Sequence, residues 1–324
     1  MPLSQSDYRA PSWCPGGHLQ TVIPARLSPR PKVSYRREIV ETPDADIVAW
    51  DWAEPEPLDS EAPVLVHFHG LEGSSRSHYA EALMAACADR GWRGVVAHFR
   101  TCGIMNRLPR AYNAGDTADN SWVLRTVRKR WPKSRIYAVG VSLGGNQLAK
   151  CLGDYGSEAS RFVDAAVSIC APIDLVAGSE RISKGVNILY SNMFLETLKE
   201  KLLEKAARWP DLVDVEAVRR CKTMYDFDQA FTAPMFGFSS AMAYWQKSSA
   251  KAVLPDVRVP LLLLNAKNDP FLPAWALPGA SELSDSVVAE YPEEGGHVGF
   301  PTGGFPGDIN YLPQRVMRFF DTGS

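Results

Sequence analysis

Six short runs of apolar residues, at 64–68, 94–99, 136–141, 165–171, 261–264 and 287–291, constrain this chain more than any other feature. Each is too short for a buried helix and lacks the apolar–polar alternation of a strand with one wet face. Each therefore reads as a strand covered on both sides. Helical periodicity fills several of the gaps, at 79–90 closed by Gly91, at 116–131, and at 143–152 closed by Gly153. A last helix begins near Pro313, where proline suits a first turn, and carries Val316, Phe319 and Phe320. Strands and helices in alternation predict an α/β fold, a mostly parallel central sheet with helices on both faces. Ahead of it, the alternating stretches 35–41 and 47–52 flank Thr42-Pro43-Asp44-Ala45-Asp46 and predict an N-terminal antiparallel hairpin.

The rhythm lapses between residues 172 and 256, where helical periodicity continues without a buried strand. That stretch reads as an inserted helical lid, leaving 1–171 and 257–324 as the core. Its helix at 187–207 carries Ile188, Leu195, Leu198 and Leu202 on one side and Glu196, Lys199, Glu200 and Lys205 elsewhere. Its second half is crowded with Met224, Tyr225, Phe227, Phe231, Met235, Phe236, Phe238, Met242, Tyr244 and Trp245. An insertion this short cannot hide all of them within itself, so most should glue it to the core and the remainder should face the site. Met235 and Phe236 are the expected lining.

At 324 residues and 45% hydrophobic content the chain can bury one large core. A net charge of -2 supplies no basic surplus for nucleic acid. The six cysteines, Cys14, Cys87, Cys102, Cys151, Cys170 and Cys221, form no C-x-x-C pair, which suits packed thiols in a reducing cytosol and no metal site. Pro2, Pro11, Pro15 and Pro24 break the N-terminus before any apolar run reaches the length of a signal peptide or membrane span, so a cytoplasmic protein is expected. The basic run from Arg125 to Arg135 ends a helix, where cations complement the dipole.

Gly140-Val141-Ser142-Leu143-Gly144 fits G-x-S-x-G, a turn that lifts a nucleophilic serine between a strand and a helix. The run 136–141 before it and the helix after it supply that context. A serine hydroxyl needs a neighbouring base. Of six histidines only His297 follows Ser142, in the glycine-flanked loop Glu294-Gly295-Gly296-His297-Val298-Gly299 after the run 287–291. An acid should follow the strand before it, and 261–264 leads into Asp269; neither Asp256 nor Asp285 has a strand leading into it in that way. The glycine-rich turn His69-Gly70-Leu71-Glu72-Gly73 follows the run 64–68 and suits an oxyanion hole made from the amides of Leu71 and Leu143, with His69 shaping the loop.

Beyond these motifs, whole phrases resemble the YheT-like branch of the α/β-hydrolases, relatives of the mammalian ABHD-type and yeast ethanol-ester synthase/esterase proteins. The phrases are Gly17-His18-Leu19-Gln20-Thr21, His69 to Ser74, Phe99-Arg100-Thr101-Cys102-Gly103 with Asn106-Arg107-Leu108-Pro109-Arg110, Gly140 to Asn146, and Gly295 to Phe300. Thr101-Cys102 departs from the Gly-Cys of that pattern. The resemblance implies that Ser142, Asp269 and His297 form a triad, and that the substrate is a small-molecule or lipid ester with a medium or long acyl chain. Arg100, Arg107 and Arg110 are expected to brace their loop against Asp116 and Asp119 rather than bind an anion.

The expected function is ester hydrolysis through an acyl-serine with no cofactor. Acyl transfer to an alcohol would use the same intermediate, and a noncatalytic ligand-binding protein could share the fold. Dehalogenase or epoxide-hydrolase chemistry would favour an aspartate where Ser142 stands.

Overall fold

The structure, a computed structural model, describes residues 3–210 and 214–322. One sheet of nine strands runs through it: β1 (Leu3–Ser4), β2 (Arg36–Glu41), β3 (Ile47–Ala53), β4 (Val64–Phe68), β5 (Arg93–Ala97), β6 (Ile136–Val141), β7 (Ala165–Ile169), β8 (Leu261–Leu264) and β9 (Val287–Glu290). Their order is β1-β9-β8-β7-β6-β4-β5-β3-β2. β3 pairs antiparallel with both β2 and β5, and the remaining pairs are parallel. β1 lay outside the sequence reading, because two residues carry no periodicity.

The uninterrupted apolar runs follow from two cores, one on each face. Along β4, Val64, Val66 and Phe68 enter the core that holds Trp50, Leu124 and Leu148, while Leu65 enters the one that holds Met84, Val316 and Phe319. Successive side chains of a strand point to opposite faces, so a strand buried twice offers a polar residue a place only where it finds a partner, as His67 of β4 does with Nδ1 3.2 Å from Val139 O. Helices His78–Asp89 and Tyr311–Thr322 cover the second face, and Thr117–Arg130 and Leu143–Tyr155 cover the first. From β4 the chain crosses to β5 on one side, then returns past β4 to β6 on the other. That reversal opens a crevice at the carboxyl ends of β4 and β6.

Arg100, 2% exposed, ties the hairpin to the helices. Its guanidinium donates to Asp119 at 2.7 Å, as its sequence neighbourhood suggests, and also to Asp44 at 3.0 Å and Asp46 at 2.9 Å, on the hairpin turn. Arg110 donates to Asp116 at 2.6 Å, and the Arg107 backbone N–H donates to Asp46 at 2.7 Å. Removing one partner from a buried ion cluster of this kind costs about 3–5 kcal/mol.

Residues 175–256 hold helices and no strand among the described residues, chief among them Leu175–Ile182, Ile188–Arg208 and Ala241–Ser248. The region has a small core of its own, where Leu195, Leu202, Val218, Phe227 and Phe231 meet. Lys205 fastens its long helix to the loop after β5, donating to Asn106 Oδ1 at 2.7 Å and Leu108 O at 2.6 Å. Burial pushes this ammonium down to about 8, since the charged form loses water. All six cysteines are buried and unpaired. Among the described residues no helix is long and apolar enough to cross a membrane.

Candidate active site

At the end of β6 the chain turns so sharply that Ser142 takes φ 54° and ψ -120°. A side chain at Gly140 would strike the carbonyl of Gly144, and one at Gly144 the carbonyl of Phe68. The two glycines of G-x-S-x-G are thus set by backbone contacts. A positive φ at a non-glycine residue costs about 1–3 kcal/mol and persists only where the surroundings enforce it. Here the Ser142 N–H is fixed to Ile169 O at 2.8 Å.

The structure brings the serine, histidine and aspartate singled out by the sequence into one hydrogen-bonded line. Ser142 Oγ lies 3.0 Å from His297 Nε2, and His297 Nδ1 lies 2.8 Å from Asp269 Oδ2. An acid accepting from Nδ1–H leaves Nε2 with its lone pair toward the hydroxyl, the tautomer that proton removal requires. Asp269 is buried, and its other oxygen accepts the Phe271 N–H at 2.7 Å. The Phe271 ring sits 4.2 Å, centroid to centroid, from that of His297. Asp256 and Asp285, the other acids weighed in the sequence, make no hydrogen bond or ion pair with His297 among the described residues.

The amides of the loop after β4 sort themselves by their partners. Gly70 N–H donates to Tyr79 Oη, Glu72 N–H to Tyr112 Oη and Gly73 N–H to Gly70 O. Leu71 N–H has no acceptor within the protein among the described residues. Leu143 begins the helix Leu143–Tyr155, so its N–H lacks an acceptor one turn back. A Cβ built on Gly70 would stand 3.2 Å from Ser142 Cβ, which measures how closely the loop approaches the serine. His69 braces it: Nε2 accepts the Phe99 N–H at 3.2 Å, so Nδ1 carries the proton given to Gly70 O at 2.7 Å. Burial holds this ring neutral, far below the usual imidazole range.

A second set of residues escaped the sequence reading, although Gly17-His18-Leu19-Gln20-Thr21 stood out as a phrase. In the helix Gly17–Arg26, Thr21 Oγ1 accepts the N–H of His297 at 2.8 Å, and Gln20 Oε1 accepts the N–H of Gly295 at 2.9 Å. Asn268 joins them, taking the Gly296 N–H on Oδ1 at 2.9 Å and giving its amide to Gln20 Oε1 at 2.8 Å. The histidine loop is therefore hung on polar side chains from opposite ends of the chain. Beneath it, Cys170 Sγ accepts the Val298 N–H at 3.3 Å.

The Cys170, Asp269 and His297 donor atoms converge within 4.8 Å. They make a poor cation site. The histidine and aspartate are spent on each other, and burial pushes the Cys170 thiol well above its ordinary pKa, away from the thiolate a metal needs.

Ser142 and His297 open into a cavity of about 160 Å³ walled mainly by apolar groups, among them Leu175, Phe194, Leu202, Met224, Phe227 and Phe231. Met235 and Phe236, expected to line it, do not. Met235 packs against the small core of Leu195, Leu202, Val218, Phe227 and Phe231, and the Phe236 ring lies 5.7 Å from the Arg110 guanidinium.

An open α/β sheet with this strand–serine–helix turn defines a class, and the sequence comparisons agree with it. The chain belongs to the α/β-hydrolase fold family, whose model matches residues 63–303. Within that family it falls in the YheT-like branch: it is 37% identical to YheT of Escherichia coli over 94% of this chain and 90% of that protein. It is also 30% identical to human phospholipase ABHD3, over 98% of this chain and 79% of that protein. In fold it is similar to the Pyrococcus furiosus esterase Pf2001, with a TM-score of 0.54 at 16% identity, covering 91% of this chain and 98% of the other.

Proposed function

We propose that this protein is a serine hydrolase of carboxylic esters with medium or long acyl chains. The line from Ser142 through His297 to Asp269, at the mouth of an apolar cavity, is the observation that carries the reading. Relatives named as a phospholipase and a monoacylglycerol lipase support an ester as the substrate. His297 Nε2 takes the Ser142 proton as Oγ attacks the ester carbonyl. The amides of Leu71 and Leu143 receive the oxyanion, and Asp269 stabilises the imidazolium. The tetrahedral species collapses to an acyl-serine as His297 protonates the departing alkoxide. Water, deprotonated by the same nitrogen, then attacks the acyl carbonyl, and His297 returns that proton to Ser142 Oγ as the ester bond to the serine breaks and the acid leaves. Residues 172–256 act as a lid whose inner wall receives the acyl chain.

The test is covalent labelling with a fluorophosphonate probe beside turnover of a p-nitrophenyl ester. The wild type should label and turn over, and Ser142→Ala should lose the label with a fall in kcat on the order of 10³-fold or more. Near-normal turnover by a folded Ser142→Ala protein would overturn the mechanism.

A further inference from the structure

The helix Gly17–Arg26 is built the wrong way round for a helix whose outer face meets only water. Its inward face carries Gln20 and Thr21, which hold the histidine loop, beside Pro24, while Leu19 and Val22 face out, followed by Leu27 at 56% exposure just past the helix. The start of the insertion's long helix and the turn before it repeat the pattern: Ser191 is buried, while Val186 of the turn and Leu189 and Met193 of the helix are exposed, Leu189 to 70%. The two segments are neighbours. The Arg26 guanidinium lies 4.0 Å from Met193 Sδ, and His18 Nδ1 lies 3.3 Å from Tyr190 Oη, their rings stacked. Exposed apolar side chains scattered singly are ordinary, but two adjacent segments that both present them form a patch.

Beside it stand two arginines without acidic partners among the described residues, Arg26 and Arg30, while the nearby Glu294 is held by Gln20, whose Nε2 donates to Oε1 at 3.1 Å. No Asp or Glu occurs between Tyr8 and Arg37. Arg30 instead folds back onto the carbonyl of Ala25. Arg181 and Lys184 stand on the insertion's side, where Lys184 meets Glu180 at 3.8 Å and both are exposed. The patch also borders the site: the Tyr190 ring packs edge-on against Phe271 at 5.0 Å, and Phe271 covers His297.

We infer that this apolar patch with the arginines beside it docks the protein on an anionic lipid surface, delivering esters from that surface to the cavity. The inference rests on the ester-hydrolase reading for its purpose. An apolar surface flanked by cations enters the boundary between headgroups and acyl chains, and the cations draw it to anionic leaflets. A second copy of the chain would cover the apolar groups but would set the arginines of the two patches against each other.

The experiment is sedimentation of the full chain with vesicles of pure phosphatidylcholine and with vesicles containing phosphatidylglycerol, at low and high salt. Binding should be at least about tenfold stronger on the anionic vesicles and weaken with salt. The combined variant Leu19→Ser, Val22→Ser, Leu189→Ser, Met193→Ser should lose it by at least about tenfold, keep turnover of a dissolved short-chain ester, and lose turnover of an ester embedded in the vesicles. Equal binding by variant and wild type, or a wild type that dimerises through the patch and ignores vesicles, would overturn the inference. In either case, turnover of the dissolved ester and Ser142 labelling report separately on the hydrolase reading.

Discussion

Thr21 accepts the backbone N–H of His297 at 2.8 Å across 276 positions of sequence. The same hydroxyl donates to Gly17 O at 2.6 Å, so both of its roles are fixed by the first turn of the helix Gly17–Arg26. A histidine in a loop is only as well aimed as the backbone that carries it.

Thr21→Val keeps the shape of the side chain and removes the acceptor. The His297 N–H is left buried without a partner, a loss of about 1–3 kcal/mol that the loop relieves by shifting. Small displacements of a catalytic group are expensive. The expected result is a fall in kcat of at least about tenfold with little change in KM, and recovery in Thr21→Ser. Unchanged kcat in the valine variant would show that the loop holds its geometry without this bond.

Asp269→Asn tests the other side of the imidazole. An amide in place of this carboxylate cannot stabilise the imidazolium, and its NH₂ group favours the tautomer with the proton on Nε2, pointing the wrong way at Ser142. Turnover should drop on the order of 10³-fold or more while the protein stays folded. The control is the pair Asp256→Asn and Asp285→Asn, expected to behave like wild type; the reverse ranking would move the acid elsewhere.

These two predictions also mark the limit of what the sequence could disclose. That Ser142, His297 and Asp269 converge was legible because the proposed chemistry restricts residue type and chain order, and because glycines at 140 and 144 answer to contacts within a few residues or one neighbouring strand. Thr21, Gln20 and Asn268 were not. Nothing in a threonine or glutamine near the N-terminus announces that it holds a loop almost a whole chain away. Arg100 was read halfway for the same reason: Asp119 lies 19 positions on, while Asp44 and Asp46 lie on a hairpin more than fifty positions earlier. Met235 and Phe236 were misjudged because apolar density reveals that side chains must be covered but not which way they turn. The π-helical stretch Asp228–Thr232, one residue wider per turn than an α-helix, changes that direction just before them.

Asp228, on that stretch, gives the stability a pH signature. It is buried, with Oδ1 accepting from Thr232 at 2.6 Å and Oδ2 from the Trp245 indole at 2.7 Å, and burial pushes its carboxyl up to about 6. A folded pKa raised above the unfolded one contributes stability that is fully present below about pH 4 and is lost as pH rises through 6. The loss amounts to about 3 kcal/mol once the carboxylate is ionised in both states. Asp228→Asn removes the titration. Its Tm minus that of the wild type should therefore rise between pH 4 and pH 7, whatever constant offset the amide adds. Parallel Tm curves over that range would mean that Asp228 does not titrate on burial.

The wall of the cavity makes the last prediction. Phe231 and Met224 line the space that Ser142 opens into, whereas Phe236 stands outside it against Arg110. Each methylene of an acyl chain buried along that wall contributes about 0.8 kcal/mol, so four more carbons should strengthen transition-state binding by roughly 3 kcal/mol, about 200-fold in kcat/KM. The gain must end where the cavity does, because a further methylene then meets packed side chains or returns to water. Measured on esters from acetyl to dodecanoyl, kcat/KM should climb and then level. Phe231→Ala and Met224→Ala enlarge the wall and should carry the plateau to longer chains, while Phe236→Ala, offset only by its own packing, should leave the profile where it was. If the profile is flat, or if Phe236→Ala moves it and Phe231→Ala does not, the acyl chain lies along a different path from the serine.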